Sequence, residues 1–306
     1  MKVFLDRPPR SGPWGGGNRF SNALCQRLKK ENIDVVFDLQ EDLDLIFCMD
    51  PRPGPAGLWY QDYLNFKMAK NTPIMQRVGD AGTHGKPELT SLVKQSTSYS
   101  DFVVFPSKWA KDYIEYEKEN FAIIQNRSDS IFKKNRKNSP VLSEKPSIVT
   151  HHWSTNPMKG FETYRFLDDN MGDLFDFTYI GRLPEGFEFK NASYIPPISK
   201  EELCEELPKH DIYFTASKLE AGANHVLEAM ICGLPVVYTS EGGSIPEYCS
   251  GFGVEFTSKE NAIPAIVNLL ENYKEHVGAV SEYDETIELS VEDYMRVIWK
   301  LLEKWD

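Results

Sequence analysis

Two glutamates, Glu220 and Glu228, stand eight positions apart in the segment 219–248. Asn224 lies between them and is a favoured residue at a helix start, and the apolar spacing that follows it predicts a helix. The free N–H groups at a helix start attract anions, and Glu228 would lie about one turn, roughly 5.4 Å, into that helix. This arrangement suits a diphosphate at the helix start, with the hydroxyls of an attached ribose within reach of Glu228.

Glu220 precedes the helix, in a loop that follows the strand predicted at 211–217, DIYFTAS. Ligands bind at the carboxyl ends of the strands in open α/β sheets, so Glu220 lies where a ligand is expected. A surface glutamate followed by an ordinary helical glutamate would show the same spacing. The pair alone therefore leaves both interpretations open, and the surrounding sequence has to decide between them.

Several segments around this pair form a larger pattern. Glu228 is followed by AMICGLPVV and then EGGSIPEY, and the segment 147–160, SIVTHHWSTNPMKG, combines a strand with a lysine-bearing loop. Together they resemble the retaining glycosyltransferases with the GT-B fold, of the family 4 type with a Glu-x7-Glu signature. The segments 101–114 and 122–132 resemble the end of the first domain in that family.

The resemblance covers most of the chain and is strongest from 146 to 248. It implies an α/β fold of the GT-B type, in which two Rossmann-like domains have parallel sheets that face a central cleft. It also implies transfer of a hexose-type sugar with retention of configuration and without a metal ion. The expected partners are a UDP- or GDP-sugar and a glycan or other hydroxyl acceptor, and no cofactor is expected beside the nucleotide-diphosphate sugar.

The resemblance assigns Lys159 to the donor diphosphate and Glu220 to the hydroxyls of the transferred sugar. The family often carries an arginine about five residues before this lysine, whereas Ser154 stands there in this chain. A histidine from the pair His151 and His152 would then replace the arginine, or Lys159 would act alone. Donor contacts are also implied for a further set of residues: Gly16, Gly17, Gly181, Arg182, Tyr194, Ile195, Ala223, Asn224, His225 and Glu228.

The loop 79–86, GDAGTHGK, offers one more candidate, His84. Related enzymes place a histidine of the first domain against the transferred sugar, and the resemblance gives His84 that catalytic role beside Glu220. A capping or exposed histidine is an equally good interpretation. A plain flexible turn is likewise the alternative for the glycines at 15–17, and a surface position is the alternative for Arg182.

Strands and helical stretches alternate in both halves of the chain, which indicates parallel βαβ units. We expect an acceptor domain at 1–140 and a donor domain at 146–306, with the last helix crossing back to the first domain as in GT-B proteins. The basic cluster 133–137, KKNRK, is interpreted as part of a solvated linker, with a local phosphate or membrane contact as the alternative. The acids at 42–44, DLD, are interpreted as a strand start rather than a metal motif.

Composition excludes several classes of protein. A length of 306 residues suggests two domains, and a net charge of −12 argues against a nucleic-acid-binding protein that relies on a broad basic surface. Five scattered cysteines without metal-ligand spacing indicate reduced thiols. Neither the first residues nor any apolar run reads as a signal peptide or a membrane span. A cytoplasmic location is expected, with peripheral membrane contact left open.

Two other functions fit the same sequence. One is a sugar-nucleotide 2-epimerase on the same fold, and the other is a non-catalytic paralogue that binds nucleotide sugars. The presence of Lys159 and both glutamates favours an enzyme over the non-catalytic paralogue. A dinucleotide oxidoreductase is less compatible with the chain, because no GxGxxG motif follows the first strand.

Overall fold

The computed structural model describes three stretches of the chain, residues 1–10, 15–137 and 141–305. The sequence predicts a glycine-rich loop at 11–17 and a polar linker at 135–145, and residues 11–14 of the loop and 138–140 of the linker lie outside these stretches. In the part of the chain that is described, no helix is both long and apolar enough to cross a membrane.

The contacts within the chain group its residues into two units. Unit 1 comprises Met1–Arg127 and the segment from Ile287 onward, and unit 2 comprises Ser128–Thr286. The domain boundaries expected from the sequence, 1–140 and 146–306, stay a prediction.

Unit 1 is built on a parallel sheet of six strands: β1 (Lys2–Leu5), β2 (Asp34–Val36), β3 (Leu45–Cys48), β4 (Ile74–Arg77), β5 (Phe102–Phe105) and β6 (Phe121–Ile123). The strand order across the sheet is β2-β1-β3-β4-β5-β6. The helices that connect these strands are α1 (Gly16–Lys30), α2 (Tyr60–Lys70), α3 (Pro87–Tyr99) and α4 (Lys108–Ile114). Strands β3 and β4 are buried along their whole length, as expected for parallel strands with both faces covered.

Unit 2 contains a second parallel sheet of six strands: β7 (Ser147–His152), β8 (Asp176–Gly181), β9 (Ser193–Ile195), β10 (Ile212–Thr215), β11 (Val236–Thr239) and β12 (Gly253–Phe256). Their order is β12-β11-β10-β7-β8-β9. The helices of this unit are α5 (Phe161–Asn170), α6 (Lys200–Glu206), α7 (Asn224–Ile231), α8 (Ser244–Cys249), α9 (Ala262–Glu271) and α10 (Tyr273–Ser281). Parallel strands require crossover connections, and helices supply most of them, whereas β2 is joined to β3 and β8 to β9 without a helix.

The last helix, α11 (Ile287–Leu302), belongs to unit 1 by its contacts. Its apolar face packs against α1, where the rings of Phe20 and Tyr294 lie 4.6 Å apart between centroids. Arg27 of α1 also forms an ion pair of 2.5 Å with Glu292. Ile298 is fully buried in the same core, so α11 covers one face of the first sheet.

The basic cluster 133–137 is not the solvated linker that the sequence suggested, because its side chains bond within unit 2. The Arg136 guanidinium donates to the carbonyl oxygens of Val280 (2.6 Å) and Tyr283 (2.9 Å) at the end of α10. Lys137 Nζ donates to the buried Asp211 carboxylate over 2.5 Å. Cations stabilise the carbonyl end of a helix, and this cluster supplies them for α10.

The acids at 42–44 also have a structural role. The Asp44 carboxylate accepts the Lys2 backbone N–H over 2.6 Å, and Asp42 forms an ion pair with the Lys2 ammonium over 2.7 Å. These contacts join the start of β1 to the turn before β3. Among the described residues, no group of three or more histidine, cysteine and acidic side chains is placed to hold a metal ion.

Candidate functional site

The candidate residues of unit 2 lie at the carboxyl ends of two neighbouring strands. Strand β7 ends at His151 and His152, and strand β10 ends at Thr215, from which a loop carries Glu220 to the start of α7. Because β7 and β10 are parallel neighbours, their carboxyl ends meet at one edge of the sheet. This edge is where ligands bind in open α/β sheets.

Helix α7 begins at Asn224, with Ala223 at the cap position and no side-chain capping bond. The prediction that Asn224 caps this helix is therefore wrong, since Asn224 is the first helical residue. The reason lies at the start of α8, where the buried Ser244 hydroxyl accepts the Ala223 N–H over 3.1 Å. A contact between residues 21 positions apart thus fixes the backbone that leads into the helix.

Glu220 is held from two directions. Its Oε1 accepts hydrogen bonds from Lys159 Nζ and from Ser217 Oγ, each over 2.5 Å. Its backbone pairs with Gly243, and its carbonyl oxygen accepts the Ser244 N–H over 2.8 Å. The two side chains that the sequence assigned to different parts of a donor, Lys159 and Glu220, are therefore bonded to one another.

Lys159 reaches this position through a tight turn. Residues Pro157–Lys159 form one turn of 3₁₀ helix, whose start is capped by the Asn156 side chain accepting the Met158 N–H over 3.0 Å. Gly160 then adopts φ +86°, and a Cβ there would lie 2.3 Å from the Ala216 carbonyl oxygen. The glycine lets the lysine-bearing turn lie directly on the loop that leaves β10.

Glu228 is buried, with 4% of its surface exposed, and one oxygen of its carboxylate is 2.9 Å from His151 Nε2. The other ring nitrogen of His151, Nδ1, is 3.1 Å from the Tyr213 hydroxyl. A buried carboxylate is costly unless it is hydrogen-bonded or paired, and His151 provides such a partner.

His152 and His225 lie side by side, with ring centroids 5.0 Å apart. His152 Nε2 is 2.5 Å from the Tyr164 hydroxyl, and His225 Nε2 is 3.0 Å from the Thr215 hydroxyl. Burial lowers the pKa of His225 to about 3, so its ring is neutral at ordinary pH. His225 can therefore offer hydrogen bonds to an anion but no charge, whereas Lys159 offers both.

The residues predicted to flank the base lie at the ends of β8 and β9. Gly181 adopts φ +127°, and a Cβ there would lie 1.9 Å from the His152 carbonyl oxygen. The Tyr194 hydroxyl donates to the Gly181 carbonyl over 2.9 Å, and the Arg182 N–H donates to the His152 carbonyl over 3.0 Å. Strand β8 pairs with β7 up to His152 and Gly181, so this group lies beside the end of β7. Within it, Arg182 is exposed and Ile195 is half-buried.

Gly16, Gly17 and His84 belong to unit 1. The glycines were expected in a loop, but they are the first two residues of α1, with Gly15 at the cap position. Asn18, in the first turn of α1, exchanges two side-chain bonds with the Arg10 backbone (2.7 and 2.9 Å), and its own N–H donates to the Gly15 carbonyl oxygen over 3.0 Å. His84 lies half-buried in the turn between β4 and α3.

Sequence reasoning missed the hydroxyl groups that organise the site: those of Tyr164, Tyr213, Ser217 and Ser244. Ser217 could have been found, since it is the last residue of the strand predicted at 211–217, next to the loop that carries Glu220. The two tyrosines lie inside predicted elements, where an aromatic residue reads as core. No local pattern would have identified their hydroxyls as partners of histidines.

Comparison with known protein families finds a match in the segment that carries Glu220 and Glu228. Residues 177–272, which include both glutamates, match the family model described as "Glycosyl transferases group 1". No curated protein matches the chain.

Solved structures of glycosyltransferases are similar over the whole chain. AviGT4, a glycosyltransferase involved in avilamycin A biosynthesis, has a TM-score of 0.65 at 14% identity, covering 99% of this chain and 98% of that one. Sucrose-phosphate synthase from Thermosynechococcus elongatus has a TM-score of 0.69 at 12% identity, covering 99% of both chains. HepE from Anabaena, solved in complex with UDP-glucose, has a TM-score of 0.60 at 14% identity, covering 100% of this chain and 98% of that one.

At sequence identities of 12–14% the similarity to solved structures establishes the fold alone. The family model adds a similarity in sequence for one segment of unit 2. The expectation of an α/β fold with two parallel sheets is confirmed. Residues 177–272 match the model of the group 1 glycosyl transferases, and the chain as a whole has the GT-B fold.

Proposed function

We propose that the protein transfers a sugar from a nucleotide-diphosphate sugar to a hydroxyl acceptor, with retention of the anomeric configuration and without a metal ion or other cofactor. One observation carries the proposal: Lys159 and Glu220 meet at the edge where β7 and β10 end, close to His225 at the start of α7. The cation and the helix start suit the diphosphate of such a donor, and the acid suits the hydroxyls of its sugar.

Lys159 binds the diphosphate in this proposal, together with the start of α7 at Ala223, Asn224 and His225. The donors there are the amides of Asn224 and His225, since the Ala223 N–H is bonded to Ser244. An ammonium has three N–H donors, so Lys159 can keep its bond to Glu220 while donating to phosphate oxygens. Negative charge grows on the diphosphate as the bond to the sugar breaks. A fixed cation at that place stabilises the transition state more than the ground state.

Glu220 accepts hydrogen bonds from the sugar hydroxyls and orients the sugar for reaction. The bond between the anomeric carbon and the diphosphate oxygen breaks, and the acceptor oxygen forms its bond on the same face. The acceptor proton passes to the departing phosphate oxygen, so no protein base is required at the anomeric carbon. Positioning and charge stabilisation then supply the rate acceleration.

The remaining candidates contact other parts of the donor in the same proposal. Glu228 binds the ribose hydroxyls, and the group at Gly181, Arg182, Tyr194 and Ile195 flanks the base. Gly16 and Gly17 approach the diphosphate, and His84 contacts the transferred sugar. A uridine or guanosine donor is proposed, and the UDP-glucose complex of HepE supports the first of these.

The proposal is tested by incubating the full chain with UDP- and GDP-sugars, in EDTA, and following donor consumption and product configuration by NMR. Lys159→Ala removes a charge-assisted hydrogen bond worth about 1.5–3 kcal/mol, so kcat/KM is expected to fall about 10- to 150-fold. Glu220→Gln is expected to lower activity as well. Lys190→Ala is the matched control, because Lys190 forms an exposed ion pair with Asp169.

Full activity in both Lys159→Ala and Glu220→Gln would contradict the proposed roles. Inversion at the anomeric carbon would contradict the proposed mechanism, and loss of activity in EDTA would contradict metal independence. An epimerised nucleotide sugar formed without an acceptor would show an epimerase instead.

A further inference from the structure

A buried chain of hydrogen bonds leads from the middle of strand β10 to Glu228. Tyr213, at the second position of β10, contacts His151 of β7 through its hydroxyl, and His151 contacts Glu228 of α7. Tyr213 is fully buried, and His151 is 1% exposed. Three elements of unit 2 therefore meet through one imidazole ring.

The direction of each bond follows from the available donors. The His151 backbone N–H donates to the Tyr213 oxygen over 3.2 Å, so the tyrosine uses its own proton elsewhere. The nearest acceptor is His151 Nδ1 at 3.1 Å, ahead of the His151 carbonyl oxygen at 3.4 Å. Burial raises the pKa of the Tyr213 hydroxyl well above its usual value, so it keeps its proton and donates it.

With Nδ1 accepting from Tyr213, the proton of a neutral imidazole lies on Nε2. That N–H then donates to the Glu228 oxygen 2.9 Å away. The bond holds one carboxylate oxygen and so limits the orientations that the other can take. Tyr213 thus determines the tautomer of His151, and His151 determines the orientation of Glu228.

The same bonds exclude His151 from direct contact with a diphosphate. Both of its ring nitrogens are engaged, at 2.9 and 3.1 Å, and the side chain is almost entirely shielded from solvent. His151 therefore does not take the place of the arginine that the related enzymes often carry near this point. Its chemistry is directed at Glu228 instead.

We propose that His151, set by Tyr213, is a positioning residue that aims the Glu228 carboxylate at the ribose diol and so makes the site selective for ribonucleotides. This inference rests on the proposed function, since it deepens the role given to Glu228. A site built to accept bonds from substrate hydroxyls rejects analogues that lack them, because its buried polar groups are then left unpaired. The rejection depends on the acceptor being correctly oriented.

The experiment compares the affinity of UDP, GDP and ADP with that of their 2′,3′-dideoxy forms by titration calorimetry on the full chain. The quantity measured is the dissociation constant of the dideoxy form divided by that of the ribo form, for the nucleotide that binds best. A large ratio means that the site selects ribonucleotides. His151→Phe is expected to reduce this ratio at least about tenfold, the loss of one hydrogen bond to a charged group. His151→Gln, whose amide can donate to Glu228, is expected to keep the ratio within about threefold of wild type.

A double-mutant cycle separates positioning from general damage. Glu228→Gln alone should reduce the ratio, and His151→Phe should reduce it no further in the Glu228→Gln background. If His151→Phe weakens ribo and dideoxy forms equally, its role is structural and the inference is wrong, while the proposed function stands. If the wild type binds none of these nucleotides, the proposed function fails and the inference fails with it.

Discussion

At the level of single residues, the structure pairs its buried and half-buried acids in different ways. Glu220 is matched by the ammonium of Lys159, and Glu228 by the imidazole of His151. Asp6, directly after β1, lies 3.6 Å from the Arg7 guanidinium and accepts the backbone N–H groups of Met49 (2.8 Å) and Asp50 (3.1 Å). Burial outweighs these bonds and the nearby Arg7, and it raises the pKa of Asp6 to about 7.

Asp6 therefore predicts a definite pH dependence of stability. Its pKa is about 7 in the folded state and near 3.8 when unperturbed, so between these values the folded state binds more protons than the unfolded state. The contribution of the protonated Asp6 to the free energy of unfolding is fully present below pH 4 and is lost as the pH rises through 7. Relative to Asp6→Asn, the free energy of unfolding of the wild type should fall by roughly 4 kcal/mol over that range.

Urea unfolding of the wild type and of Asp6→Asn at intervals from pH 4 to pH 8 measures this difference. Asp34→Asn is a suitable control, since Asp34 is an exposed carboxylate at the start of β2 in the same unit. If the free energies of unfolding of wild type and Asp6→Asn differ by the same amount at every pH, the raised pKa of Asp6 is contradicted.

The sequence predicted the chemical types at the site better than their partners. Lys159 and Glu220 were identified separately, each from its own segment, and the structure brings them within bonding distance. Their pairing was not predictable, because it depends on a register between two loops 61 positions apart. Tyr213 was missed for the same reason, since nothing local distinguishes a strand tyrosine that packs from one that orients a histidine.

At the level of elements, loops rather than helices fix the site. The strands were predictable because they are apolar runs between turn signals, although β12 was missed, since its sequence GVEF is short and only partly buried. The start of α7 was placed one residue wrongly because its backbone is held by Ser244, the first residue of α8. Local propensity favours an asparagine cap, and a contact from outside the segment overrides it.

Gly243 is the element-scale position with the sharpest prediction. It adopts φ +71° and ψ −110°. A Cβ there would lie 2.5 Å from the backbone carbonyl oxygen of Glu220 and 2.7 Å from its backbone nitrogen. Gly243→Ala is therefore expected to displace the backbone of Glu220, to destabilise the protein by about 1–3 kcal/mol, and to weaken donor binding. Thermal unfolding and nucleotide-sugar titration measure the two effects.

Gly251→Ala provides the matched control for this substitution. Gly251 also has positive φ, +85°, but a Cβ there would meet no atom within 4 Å. Both variants carry the conformational cost, whereas only Gly243→Ala should disturb Glu220. Equal donor affinity in the two variants would show that the Gly243 contact does not position Glu220.

At the level of the whole molecule, the fold class followed from the alternation of strands and helices. The strand orders did not follow, because they depend on which crossover each helix makes. The last helix lies far in sequence from most of the residues that it contacts. Helix α11 comes after the whole of unit 2, yet its contacts lie in unit 1, where Val291, Tyr294 and Ile298 join the core beneath the first sheet.

This arrangement predicts that damage to the last helix is felt in unit 1. Ile298 is fully buried against that core, so Ile298→Ala removes apolar contacts and leaves a cavity that costs about 2–5 kcal/mol. Hydrogen exchange followed by mass spectrometry should show lower protection in strands β1 and β3 and unchanged protection in β7 and β10. Leu289→Ala, on the same helix but with Leu289 46% exposed, should change neither set, because it alters little buried surface. A uniform loss of protection in all four strands would mean that the two units unfold as one cooperative body, and that α11 stabilises the entire chain rather than the unit to which its contacts assign it.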